Sequence, residues 1–154
     1  SSAASDVYKR QVLGYVSKST LSDGTSLPTE VGFWRLAKTP ESADHGPGLL
    51  PGTGAKSITT HEQLETVRNK DGGFDIEVSI LHPSGISELY IGQIKGARVD
   101  LATDAVLRSQ SSKDYRAATR MFGLVEGALL WVWDIAALGN PMASHASARL
   151  ERAK

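Results

Sequence analysis

Over most of the chain, apolar residues recur at every second position, the period that sends side chains to alternate faces of a β-strand. Residues 74–81 place Phe74, Ile76, Val78 and Ile80 on one face. Residues 30–37 separate Val31, Phe33 and Arg35 from Gly32, Trp34 and Leu36. In the most apolar run, 129–138, Trp131, Trp133, Ile135 and Ala137 alternate with Leu130, Val132, Asp134 and Ala136. Further strands are predicted over 12–20, 86–94, 97–109, and 111–124, the last anchored by Tyr115 and Phe122. Turn signals stand between them: Asp23-Gly24, Asp71-Gly72-Gly73, Pro83-Ser84-Gly85, Lys95-Gly96 and Glu126-Gly127. Residues 57–69 fit either a broken strand or a short helix over 62–68.

Strands of this length joined by tight turns predict an all-β fold, an antiparallel meander. No alternation of strands with helices is visible, which argues against a parallel sheet. A meander removes its exposed edges most simply by closing into a lipocalin-like β-barrel, whose interior can hold one small ligand. Residues 38–56 carry Pro40, Gly46, Pro47, Gly48, Pro51, Gly52 and Gly54, and so read as an exposed loop containing His45. Residues 1–11 are polar and patternless, and are expected to be disordered and non-native. Residues 12–154 form one domain. After 138 the chain is expected to run as a short helical or irregular tail.

Composition narrows the chemistry. The 154 residues contain as many Lys and Arg as Asp and Glu, 17 of each, so no basic field calls for nucleic acid or an anionic membrane. With no cysteine, thiolate catalysis, Cys-ligated zinc and iron–sulfur clusters are excluded. No apolar run approaches the about 18 residues of a membrane-spanning helix, and no signal peptide is visible. The cytoplasm is the default location.

Enzyme motifs are missing: no phosphate loop, no nucleophile elbow, no His-Glu-x-x-His. The four histidines, His45, His61, His82 and His145, share no metal-ligand spacing. His82, beside Pro83, reads as a turn residue. His145 is different in context. It follows the apolar run 129–138 and the Gly139-Asn140-Pro141 turn, so it stands near the end of that strand. A neutral imidazole there is a candidate metal or haem ligand. A single imidazole does not by itself distinguish a ligand from a surface or core histidine, and the Trp131 and Trp133 face is also compatible with ordinary core packing.

The order of segments resembles nitrobindin, a family of ferric-haem β-barrels shaped like fatty-acid-binding proteins. The resemblance rests on residues 13–36, the His82-Pro83-Ser84-Gly85-Ile86 turn with its strand to Gly92, residues 113–122, and residues 129–152. Its specific part is the tail: a Gly-x-Pro turn, three further residues, then His145, with Leu150 and Arg152 downstream. It implies that His145 is the axial ligand of a ferric b-type haem. It further implies Ile135 and Trp133 on the distal wall, Leu27 and Pro28 lining the same pocket, and Lys113 paired with a haem propionate. Ala146 stands where relatives carry leucine, and residues 38–71 resemble an insertion. The family's N-terminal Gly-x-Trp-x-Gly-x-Gly signature is absent from these residues, so the expectation is either an N-terminally truncated barrel or a member that has lost the segment, with one wall of the pocket open and its hold on haem in question.

The activity so implied is isomerisation of peroxynitrite to nitrate, together with binding of nitric oxide. The competing expectation is a haem-free, lipocalin-like barrel carrying a small apolar ligand against Trp131 and Trp133. A third is an inactive fragment with no cooperative melt.

Overall fold

The computed structural model describes residues 12–37 and 58–153. The expectations for 1–11 and 38–56, His45 among them, lie outside the described residues. Eight strands follow one another: β1 (Val12–Ser17), β2 (Glu30–Leu36), β3 (Phe74–His82), β4 (Ile86–Lys95), β5 (Arg98–Arg108), β6 (Tyr115–Val125), β7 (Ala128–Ala137) and β8 (Ala143–Leu150). Each pairs antiparallel with the next, in the order β1 to β8, so the predicted meander is the observed sheet. The sheet curls into a half-barrel, and among the described residues β1 and β8 do not pair.

The tail is a correction. Residues after 142 form β8, hydrogen-bonded along β7, where a helical or irregular segment was expected. The small residues Ala143, Ser144, Ala146, Ser147 and Ala148 hide a strand from any hydrophobic-period argument; pairing with the long apolar β7 decides it. The ambiguous stretch before β3 resolves as α1 (His61–Glu65), capped by Thr60 in a capping box with Gln63.

The faces alternate as the pattern requires. Ile76, Val78 and Ile80 of β3 pack with Tyr90, Leu101 and Ala118 to form the core on the inner face. Gly32 belongs to this face, and a Cβ there would meet the Tyr15 ring at 2.0 Å. Glycine at 32 thus lets Tyr15 lie across β2.

Because every strand reverses direction, the connections alternate between two rims. The β1–β2, β3–β4, β5–β6 and β7–β8 connections share one rim; α1 and the β4–β5 and β6–β7 turns share the other. Backbone hydrogen bonds tie the first rim together, from Leu138 N to Asp114 O at 2.7 Å and from Ser109 N to Gly85 O at 2.9 Å. Register shifts in the β4–β5, β6–β7 and β7–β8 pairs mark β-bulges, which bend the strands and add to the curl.

Candidate functional site

The third bulge fixes the position of His145. Asp134 pairs with Ser144 and Trp133 with Ala146, so His145 is the extra residue between them. In regular alternation, 145 would share the outer face with Ser147. An added residue re-aims the side chain, and His145 instead meets Trp133 on the inner face. Their ring centroids are 4.9 Å apart and the rings are perpendicular. The imidazole is exposed, but it lies against the inner wall at the first rim.

Trp133 is held from several sides. The Arg120 guanidinium lies over its ring at 4.3 Å. The His82 ring is stacked parallel to it at 6.0 Å, and Tyr115 meets it edge-on at 6.4 Å. The indole Nε1 is buried without a hydrogen-bond partner.

Beneath Trp133 lies a buried polar cluster. Arg120 is 2% exposed and Glu88 3%. Arg120 donates two parallel hydrogen bonds to Glu30, Nη1 to Oε1 at 2.7 Å and Nη2 to Oε2 at 2.8 Å, the strong fork geometry for this pair. Its Nε donates to the Tyr90 hydroxyl at 3.0 Å. Glu88 accepts from Tyr90 at 2.6 Å and also from the Tyr115 hydroxyl, and its other oxygen lies 2.6 Å from His82 Nε2. Tyr15 donates to Glu30 at 2.7 Å.

Burial pushes the Glu88 carboxyl up, but the hydrogen bonds from His82, Tyr115 and Tyr90 and the charge of Arg120 outweigh it. Glu88 therefore ionises below the usual glutamate range. Burial, reinforced by the neighbouring carboxylates, raises the phenols of Tyr15, Tyr90 and Tyr115.

The other candidates divide by position. Ile135 shares the inner face with Trp133 and packs against the core. Leu27 and Pro28 lie exposed in the β1–β2 connection, and Lys113 lies exposed in the β5–β6 connection, so all three stand at the His145 rim. The Lys113 carbonyl accepts from Arg108 at 3.4 Å. The Trp133 indole touches the His145 ring. One expectation changes: His82, read as a turn residue, ends β3, and its 7% exposed side chain joins the cluster. Glu30, Glu88, Arg120 and the tyrosines escaped the sequence reading. Their signal was there: charges at inward positions of alternating strands, such as Glu88 between Ile86 and Tyr90.

A groove of about 960 Å³ lies elsewhere, toward the α1 rim and mainly on the outer face, where Asp75, Glu77, Gln93, Asp100, Met121 and Asp134 line it. None of the residues expected from the sequence borders it, although Arg120 of the buried cluster does. Among the described residues, no group of three or more His, Asp or Glu side chains is disposed to hold a metal ion.

The model of the "THAP4-like, heme-binding beta-barrel domain" matches residues 5–152. The chain belongs to this family. The family is the one its tail resembles. A protein of Clavibacter michiganensis subsp. michiganensis named peroxynitrite isomerase is 58% identical over 122 residues, covering 79% of this chain and 61% of that protein. A protein of the same name from Leifsonia xyli subsp. xyli is 56% identical over 133 residues, covering 86% of this chain and 67% of its own length. The chain thus spans about three fifths of the Clavibacter relative. A crystal structure of Rv2717c from M. tuberculosis superposes with a TM-score of 0.64 at 20% identity, covering 94% of this chain and 73% of that one, and shares the fold.

The residues of the rim fit a haem. His145 offers an accessible nitrogen, Trp133 and Ile135 offer apolar surface, and the unpartnered Trp133 Nε1 would be satisfied by an acceptor on a bound group.

Proposed function

We propose that this chain binds ferric haem b through His145 and isomerises peroxynitrite to nitrate, and that the same site takes nitric oxide. The observation that carries the reading is the bulge that turns His145 inward against Trp133 in a chain of the haem-binding family. The names of the relatives support the activity. Haem, when bound, supplies a Lewis-acidic iron at which peroxynitrite rearranges to its isomer nitrate. The chain's own residues hold and shape. His145 would hold the haem iron. Trp133 and Ile135 form apolar wall, with Leu27 and Pro28 at its mouth, and Lys113 at the same rim is the candidate partner for a haem carboxylate. A cytoplasmic location belongs to the proposal. Among the described residues no helix is long and apolar enough to cross a membrane, which bears on helices alone.

The test is reconstitution of the chain with ferric haem. The expected result is haem uptake with a Soret band and faster decay of peroxynitrite to nitrate by the loaded protein, both lost in His145→Ala. An unchanged ferric spectrum in His145→Ala sinks the ligand assignment. Tryptophan quenching by fatty acids with no haem uptake would identify a haem-free carrier instead.

A further inference from the structure

A metal-bound histidine is ordinarily oriented through its second ring nitrogen, which donates to a carboxylate, a carbonyl or a water. No group among the described residues hydrogen-bonds the His145 ring, and the residue projects from a bulge near an exposed rim. Its ring contact is the perpendicular indole of Trp133 at 4.9 Å, an arrangement favoured by the quadrupole of the rings. Trp133 in turn has little freedom. Arg120 covers its ring at 4.3 Å, an attraction strengthened by burial. Arg120 is itself clamped by the two-pronged bond to Glu30. His82 stacks on the indole and is anchored by Glu88. A chain of contacts therefore runs from the buried polar cluster to the imidazole.

We propose that Trp133 is the positioning residue of His145: its ring contact, locked from below by Arg120 and His82, sets the orientation of the imidazole. This inference rests on the haem reading above. It makes the buried cluster the foundation of the ligand, because Arg120 and Glu30 act on the imidazole only through the indole.

The experiment compares Trp133→Leu, Trp133→Met and Trp133→Phe in the haem-loaded protein. Two quantities are measured: the iron–histidine stretching band of the ferrous form by resonance Raman, and the rate of haem loss to apomyoglobin. Removing the ring should broaden and shift the band and speed haem loss by about 10–100-fold, the range for lost ligand support. Trp133→Phe keeps an aromatic ring and should restore both toward wild type, although it lacks the indole N–H. A folded Leu or Met variant with the wild-type band and rate overturns the proposal. So does a Phe variant that behaves like Leu. Methionine fills the space left by the indole, which guards the fold. The wild-type protein offers a check free of substitution: in its diamagnetic ferrous carbon monoxide complex, nuclear Overhauser effects must connect the Trp133 and His145 ring protons, and their absence is equally fatal. Failure of the haem reading looks different: no haem uptake by the wild type, or a ferric spectrum that His145→Ala leaves unchanged.

Discussion

Arg120 shows how much one buried side chain can organise. It is satisfied by Glu30, Tyr90 and the face of Trp133, and a further contact reaches Glu88 at 3.5 Å. Removing a partner from such a group leaves the opposite charge stranded, which costs more than the pair itself contributes. Arg120→Met should therefore destabilise the protein by about 3–5 kcal/mol, because two buried glutamates lose their counter-ion. Arg120→Lys keeps the charge but not the fork, and should cost less, about 1–3 kcal/mol. Urea melts of the three proteins measure both; equal stability of Arg120→Met and wild type would show that the glutamates do not depend on the arginine. This cluster was only half legible in the sequence. Alternation shows that Glu88 and Arg120 face inward, but pairing across a sequence separation of 90 residues, as for Arg120 and Glu30, leaves no local trace.

At the scale of strands and turns, the meander was legible because its strands carry clear alternation and its turns carry glycine. Glu126 and Gly127 both adopt positive φ, 51° and 78°, as a two-residue turn of the favoured hairpin hand requires. Glutamate is poorly suited to that region. Glu126→Asn should stabilise the protein by about 0.5–1 kcal/mol, read as a higher urea midpoint at unchanged slope. What escaped was β8, whose alanines and serines carry no period, and with it the bulge, which exists only as a mismatch between two strands. The bulge makes its own prediction. In a His145→Ala background, Ser144→His restores no haem binding, because position 144 pairs with Asp134 on the outer face. Ala146→His, opposite Trp133 on the inner face, recovers part of it. Haem titration of both variants decides the matter, and stronger binding at 144 than at 146 would contradict the assigned register.

Across the whole molecule, the cluster links strands that are distant in sequence. Glu30 belongs to β2, His82 to β3, Glu88 and Tyr90 to β4, and Tyr115 and Arg120 to β6. Its titration should therefore act on global unfolding and not on a local fray. The direction follows from the shifts. Glu88 has a folded value below its ordinary 4.5; the unfolded chain binds the proton first as pH falls. The stability it confers is complete above the ordinary glutamate value and is lost as pH falls through the lowered folded value. The tyrosines behave in the opposite sense. Their folded values lie above the ordinary 10.0, so their share is complete below pH 10 and is lost progressively as pH rises beyond it. A plot of unfolding free energy against pH should thus hold a plateau near neutrality with an acid limb and an alkaline limb. Glu88→Gln should flatten the acid limb, while Tyr115→Phe should reduce the alkaline one. The two effects are coupled, since the glutamine variant also relieves the carboxylate that raises the phenols and the phenylalanine variant also removes a hydrogen bond that lowers Glu88, so each limb is compared with wild type in both variants. An acid limb in Glu88→Gln as steep as that of wild type would assign acid unfolding to carboxylates outside the cluster, and the inner polar network would then be a passenger in the acid stability of the sheet.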